Sequence, residues 1–211
     1  MKRYKWHAVL MMIMMCFFNA CASTKVSRLS VGEKMDLSGG WNDNDAMFTA
    51  QEMIKDCLAK PWLNAFMEEK GHKPTVIIGH VANRSHEHIN VQVITKYLEK
   101  ELLNAGQVIF VASAEEREGL REEREDQQKG YTQQETIAEK GRERGADFML
   151  IGSFNSIVDT AEQQTLVLSS KRQSAIFYQV NLELIRLTTN EKVWIGQKEI
   201  KKLVEQSKFG L

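Results

Sequence analysis

An alternation of core-type and more polar residues near the C-terminus is the feature that most constrains the fold of this 211-residue chain. Its inward positions are Ile176, Tyr178, Val180, Leu182 and Leu184. Because successive side chains of a strand point to opposite faces, this pattern predicts a strand with one buried face. Thr189 and Asn190 follow as turn residues, since Asn tolerates the left-handed conformation, and residues 192–200 are expected to return as the second strand of a hairpin.

The N-terminal half predicts helices on either side of a first strand. Apolar residues at helical spacing behind an Asn/Asp cap cluster predict a helix from Asp43 onward, with a second short helix between Pro61 and Gly71. A β-branched run over residues 75–81 predicts the first strand. A helix carrying Val91, Ile94, Leu98 and Leu102 on one face should end at Gly106, and residues 107–111 should form a short strand.

The middle of the chain is highly charged. Residues 115–126 interleave charges of both signs and predict a solvated helix, in which Arg121 is placed to pair with Glu125 four residues on. A further helix is expected over residues 133–144, followed by a long strand over residues 147–158. This order of elements predicts an α/β fold, a single-domain sandwich of a mixed, largely antiparallel sheet with flanking helices.

The N-terminus predicts export and a lipid anchor. Lys2, Arg3 and Lys5 precede an apolar run over residues 8–18, which is too short to span a bilayer but matches a secretory signal. It ends in Phe18-Asn19-Ala20-Cys21, which resembles the bacterial lipobox. We therefore expect removal of residues 1–20 and attachment of diacylglycerol and palmitate at Cys21, which together exceed what stable anchoring needs. The alternative is an ordinary signal peptide in which Cys21 is incidental.

Charge and cysteine usage restrict the mature chain further. Removing Lys2, Arg3 and Lys5 from the 28 basic residues leaves 25 against 28 acidic ones, which excludes the basic surplus of a nucleic-acid-binding protein. Cys57 is then the remaining free thiol and is expected to be a buried small hydrophobe. Residues 21–40 are expected to form a short tether, about 50 Å long if residues 21–36 are fully extended. The Gly pair, Trp and Asn/Asp residues of segment 36–45 suggest a latch that folds this tether onto the domain.

Few residues suggest catalysis or metal binding. His80, His86 and His88 form a metal-like cluster, but imidazoles in a polar loop more often face water, so metal binding stays open. Ser153 lacks the glycine two residues later that a nucleophile elbow requires, and segment 141–145 lacks the context of a phosphate loop. We therefore predict no enzyme activity, no cofactor and no metal site. A His-ligated metallohydrolase remains the enzymatic alternative.

Five segments together resemble the LpoB family, the outer-membrane lipoprotein activators of bifunctional penicillin-binding proteins. The segments are residues 36–45, 81–85, 115–127, 145–153 and 192–194, and the resemblance covers residues 36–205. It implies a non-catalytic domain similar to the N-terminal domain of TolB, placed here at residues 41–205 with a tail at 206–211. The chain departs from well-known members in lacking a long Pro-rich tether, since its two prolines are Pro61 and Pro74.

This resemblance implies a lipid-anchored protein on the periplasmic side of the outer membrane, monomeric, that binds a class A penicillin-binding protein and stimulates peptidoglycan synthesis. Exposed candidates for the partner site are Arg84 and His86 in the loop 83–88, and Arg117, Arg121 and Arg124 in the charged helix. The alternative for both places is ordinary solvated surface. The alternative function is a secretion or assembly lipoprotein resembling the pore component CsgG, which shares a TolB-like domain.

Overall fold

The structure is a computed structural model that describes residue 36, residues 38–166 and residues 169–209, with side chains except in residues 162–171 and 207–209. These residues belong to one compact unit. The predicted signal peptide, Cys21 and most of the tether lie outside the described residues, so the predictions for them stay predictions.

Four helices and five strands make up the described chain. The helices are α1 (Asp43–Leu58), α2 (Pro61–Lys70), α3 (Val91–Ala105) and α4 (Ala114–Gln127), with one 3-10 turn at Gln134–Thr136. The strands are β1 (Thr75–Arg84), β2 (Ile109–Phe110), β3 (Phe148–Leu166), β4 (Ser169–Arg186) and β5 (Lys192–Phe209).

The five strands form one mixed sheet in the order β2-β1-β3-β4-β5. β1 runs parallel to both β2 and β3, whereas β3, β4 and β5 pair antiparallel along nearly their whole length. The predicted fold class, a mixed sheet with flanking helices and a C-terminal hairpin, is confirmed. Asn190 adopts φ 60° in the turn between β4 and β5, as its residue type predicted.

The core lies between the helices and one face of the sheet. All five inward residues predicted for β4 are buried, and they join one cluster with helix residues such as Ile54, Phe66 and Leu98. Phe148 of β3 meets the rings of Trp62 and Phe66 edge to face, at centroid distances of 5.0 and 5.2 Å. Burial of these aromatic and aliphatic side chains is the main term that stabilises the fold.

The helix ends follow the local signals in the sequence. Asn42 caps α1, and its side chain and that of Asp45 bind each other's backbone amides in a capping box. Gly71 and Gly106 end α2 and α3 with φ of 73° and 64°, values that a residue with a Cβ rarely adopts. The predicted first two helices, α3 and the charged helix α4 are therefore confirmed.

One predicted element is wrong, and another is shorter than predicted. The helix predicted over residues 133–144 is absent except for the 3-10 turn, because Gly141 takes φ 77° and the segment offers few apolar side chains for a buried stripe. The strand predicted over residues 107–111 is reduced to Ile109 and Phe110. In contrast, the strands β3, β4 and β5 are longer than predicted.

Part of the sheet continues beyond its parallel neighbour. The last residue pair between β1 and β3 joins Arg84 and Asn155, after which β3 pairs with β4 alone as far as Leu166. The loop that follows β1 therefore lies beside the point where β3 leaves the central sheet. No helix in the described residues is long and apolar enough to cross a membrane.

Candidate functional site

The loop that follows β1 is braced by the side chain of Asn83. Its Oδ1 accepts from the Ser85 amide at 3.0 Å and from the Ser85 hydroxyl at 2.7 Å, while its Nδ2 donates to the Glu87 carbonyl at 2.9 Å. Such Asx turns hold a short polar loop in one shape. Residues 83–88, which we call the partner loop, are thus ordered although most of them are exposed.

His86 fastens the partner loop to the sheet. Its backbone amide donates to the Ser156 hydroxyl of β3 at 2.9 Å, and its Nδ1 lies 2.5 Å from the same oxygen. The other ring nitrogen, Nε2, lies 3.4 Å from the Glu87 carboxylate.

Glu87 connects the partner loop to the core and to the N-terminal segment. One carboxylate oxygen accepts from the hydroxyl of Tyr178, and the other accepts from the Trp41 amide at 3.2 Å. Burial, followed by the nearby Glu87 carboxylate, raises the pKa of the Tyr178 phenol, so it stays a hydrogen-bond donor at neutral pH. The Trp41 ring packs edge to face on Phe154, with centroids 4.3 Å apart, and on Tyr178 at 5.7 Å.

Ser156, His86 and Glu87 resemble a serine hydrolase set in residue type, but their contacts point to a structural role. The Ser156 hydroxyl is occupied by the His86 amide, and the Glu87 carboxylate is occupied by Tyr178 and Trp41. A serine nucleophile needs its hydroxyl directed at a substrate, whereas the Ser156 hydroxyl is bonded to both the backbone amide and the ring of His86. The three side chains therefore brace the loop.

The segment before α1 lies on the same side of the domain. Asp36 and Ser38–Trp41, which we call the strap, are held at their centre by Lys202 of β5. Its ammonium group contacts the Asp36 carboxylate at 2.9 Å, the Gly40 carbonyl at 2.8 Å and the Asp45 carboxylate at 2.6 Å. Burial alone would lower the pKa of Lys202, but the bonds to Asp45 and Asp36 outweigh it and leave that pKa raised. The segment that the sequence suggested would fold onto the domain as a latch is thus bound by Lys202, in a position that we call its seat.

Two of the three candidate arginines of α4 form ion pairs within the domain. Arg121 and Arg124 both bind the Glu143 carboxylate, at 2.8 and 2.6 Å, so the predicted pair of Arg121 with Glu125 is wrong. The prediction failed because it considered only the helix itself, whereas the returning loop brings Glu143 alongside. These bonds lower the pKa of Glu143 to about 2.

The remaining candidates differ in their surroundings. Arg84 is exposed at the end of β1. Arg117 is half-buried, and its Nε is one of the buried polar atoms without a hydrogen-bond partner in the described part of the chain. Arg84 and His86 therefore share one surface, and the arginines of α4 belong to another.

Neither the remaining histidines nor the free cysteine belongs to a metal-like cluster in the described residues. His80 and His88 are exposed, and no group of three His, Cys, Asp or Glu side chains is close enough to hold a metal ion in that part of the chain. Cys57 is buried, and burial raises the pKa of its thiol to about 12. A thiol that stays protonated at neutral pH is a poor nucleophile.

Glu87, Ser156 and Tyr178 were not singled out as a site from the sequence. Tyr178 was recognised as an inward residue of β4, but its hydroxyl partner lies 91 residues away. Nothing local signals that contact. Trp41 was expected to anchor the N-terminal segment, and its packing on Phe154 and Tyr178 bears this out.

Solved structures similar to this chain include two LpoB C-terminal domains and one lipoprotein. The C-terminal domain of LpoB from Escherichia coli is 15% identical over 78% of this chain and 98% of that domain, with a TM-score of 0.38. The corresponding domain from Salmonella enterica is 17% identical over 66% and 93%, at 0.33. Lipoprotein GNA1162 from Neisseria meningitidis is 13% identical over 62% and 83%, at 0.34.

The family model gives the decisive comparison. No curated protein matches the chain. Residues 45–200 match the model of the family described as peptidoglycan-synthase activator LpoB, and this range runs from the first turn of α1 to the middle of β5. Because the match covers well over half of the sequence, the chain belongs to the LpoB family of peptidoglycan-synthase activators.

Proposed function

We propose that this protein is a lipid-anchored, non-catalytic envelope protein that binds a class A penicillin-binding protein and activates it. The family match over residues 45–200 carries the proposal, because it spans the α/β domain that contains the partner loop, its braces and α4. The activity is to be sought in binding, since the polar groups nearest the partner loop are engaged with one another.

The sequence that precedes the domain supports a lipid anchor. Residues 1–20 combine a basic start, a short apolar run and a small residue before Cys21, the order that lipoprotein processing needs. Ala22 and Ser23 lack the Asp that causes inner-membrane retention in some bacteria, which favours the outer membrane. The anchored protein then faces the periplasm, where the synthase builds its product.

Arg84 makes the partner loop the preferred binding surface. Arg121 and Arg124 already satisfy Glu143, so a partner would have to break two ion pairs to use them. The side chain of Arg84 has no hydrogen bond or ion pair with any described residue, while its neighbours Asn83 and Ser85 are held in place. A presented guanidinium on an ordered loop suits a carboxylate on the partner, which it can bind through two parallel hydrogen bonds.

Binding of the mature protein to detergent-solubilised class A synthases tests this proposal. We expect a stable complex, and we expect Arg84→Glu to weaken it at least about fivefold, the loss that about 1 kcal/mol produces. The charge-matched control Lys55→Glu, at an exposed position in the last turn of α1, should bind as the unmodified protein does. A complex unaffected by Arg84→Glu but weakened by Arg121→Glu with Arg124→Glu would move the interface to α4. Absence of binding to every such synthase would contradict the function.

The oligomeric state belongs to the same proposal. We expect a monomer after detergent extraction, measured by sedimentation with the detergent contribution subtracted. A stable ring would instead favour the secretion-pore alternative, since a pore needs several subunits around one channel.

A further inference from the structure

We propose that Glu87 is a positioning residue that couples the strap to the partner loop. When the strap is docked, Glu87 holds the loop in the shape that binds a partner, and pulling the strap from its seat loosens the loop. The effect on the loop concerns this chain alone. The consequences for partner affinity and for the membrane anchor rest on the function proposed above.

This coupling depends on the two oxygens of the Glu87 carboxylate. Glu87 belongs to the partner loop, yet one oxygen is held by the Trp41 amide of the strap and the other by the Tyr178 hydroxyl of β4. Its side chain is half-buried, where hydrogen bonds to a charged acceptor are stronger than in water. Loss of the strap would leave a partly buried carboxylate with an unpaired oxygen, which favours movement of the loop towards solvent.

The strap is shaped for its seat by two glycines. Gly39 has φ 70°, and a Cβ at this position would overlap the side chain of Val204 in β5. At Gly40 an added Cβ would lie only 3.3 Å from Oε2 of Glu87. Close approach of the strap backbone to β5 therefore requires glycine at position 39, and a side chain at position 40 would crowd the Glu87 carboxylate.

The partner loop has little other support. The amides of Ser85, Glu87 and Ile89 bind acceptors within the loop itself, and the His86 amide binds Ser156 of the sheet. Residues 83 and 84 pair with β3, and beyond them the contacts of the loop with the rest of the domain run through His86 and the side chain of Glu87. The second of these contacts depends on the strap, so the two segments should open together.

This arrangement gives the membrane anchor a role in regulation. The strap lies between the anchor and the domain, so a pull along the tether acts first on Asp36 and its bond to Lys202. Release of residues 36–41 would add about 20 Å of reach, at roughly 3.4 Å per residue. With the strap released, the domain would reach further from the membrane but bind its partner less tightly. Tight binding would therefore be limited to partners that the domain can reach while the strap is docked.

Hydrogen exchange of the full mature chain tests the coupling with three variants. Gly39→Ala disturbs the strap, because it places a Cβ both at positive φ and against Val204. Tyr178→Phe removes the hydroxyl that holds Glu87 and keeps the ring. Gly71→Ala is the matched control, since it carries the same positive-φ penalty with no atom within 4 Å of the new Cβ.

We expect Gly39→Ala and Tyr178→Phe to speed exchange of the amides of residues 85–89 at least about fivefold, while the amides of α3 keep their protection. Gly71→Ala should leave these loop amides unchanged. Synthase affinity should fall in the same two variants. Loop exchange that stays unchanged in both, or that rises equally in Gly71→Ala, overturns the proposal. If the unmodified protein binds no synthase, the proposed function fails, and loop exchange alone still decides the coupling.

Discussion

Arg124 of α4 and Glu143 of the loop before β3 form an ion pair of 2.6 Å, and Arg121 binds the other oxygen of the same carboxylate at 2.8 Å. Together with the Ala138 amide, which donates to Gln127 at 2.9 Å, Glu143 fastens the loop over residues 137–146 to α4.

The pKa of Glu143 should show whether this contact forms in solution. The two arginines lower its pKa from the ordinary 4.5 to about 2, so the pair stabilises the fold fully above pH 4.5. That contribution is lost as the pH falls from 4.5 through about 2. A carboxyl titration by NMR should find the low pKa in the unmodified chain and an ordinary value after Arg121→Gln with Arg124→Gln. Titration near 4.5 in the unmodified protein would show that the pairs do not form in solution.

Gly196 of β5 lies under the ring of Trp194. An added Cβ would overlap this ring, whose indole N–H donates to Asp56 of α1 at 2.9 Å. Gly196→Ala should therefore destabilise the protein by about 1–3 kcal/mol in urea unfolding, the usual range for overpacking. Gly119→Ala is the opposite case, since it lies inside α4 with open space around it and should stabilise by about 0.5–1 kcal/mol. Equal effects of the two variants would contradict the packing described here.

Lys202 and Lys198 face the same side of β5 but differ in their surroundings. The Lys202 side chain is 8% exposed and binds Asp36 and Asp45, whereas Lys198 pairs with the exposed Glu52. We expect Lys202→Met to cost roughly 1–3 kcal/mol, because it leaves the Asp45 carboxylate with one partner fewer, and Lys198→Met to cost less than about 1 kcal/mol. Because the pKa of Lys202 is raised, its contribution persists below pH 10.5 and disappears as the pH rises through the raised value. Equal losses in the two variants would argue against the seat of the strap.

Cys21 carries the prediction about localisation. Cys21→Ser removes the thiol that forms the thioether, so neither of the two lipid modifications can follow. Radiolabelled palmitate should be incorporated into the unmodified protein and not into the variant, and the variant should leave the membrane fraction. Unchanged incorporation would refute the lipobox assignment, and density-gradient separation of the membranes would decide between inner and outer membrane.

The sequence predicted best where one face of an element is buried. The residues Ile176 through Leu184 alternate because each second side chain enters the core, and the strand β4 follows that pattern. It predicted worst over residues 133–144, where charged residues can sit in a helix or a loop with little difference in burial. There the left-handed Gly141 and the contact of Glu143 with α4 decide the structure, and neither is visible in local spacing.

The candidate site shows the same limit. The partner loop was chosen for its polar residues after a predicted strand, and the structure confirms an ordered, exposed loop there. Its attachment was not predicted, because Glu87 meets Trp41 and Tyr178 from 46 and 91 residues away. Only the packed fold brings these residues together.

The central claim is that this domain activates a peptidoglycan synthase, and the rate of glycan polymerisation measures it most directly. A purified class A penicillin-binding protein is supplied with its lipid-linked precursor, with and without the mature chain in excess, and with Arg84→Glu as the weakened comparison. We expect the unmodified chain to raise the rate severalfold and Arg84→Glu to require a higher concentration for the same effect. A rate that the unmodified chain leaves unchanged for every class A synthase of the cell, at concentrations where the folded domain is intact, would contradict the account.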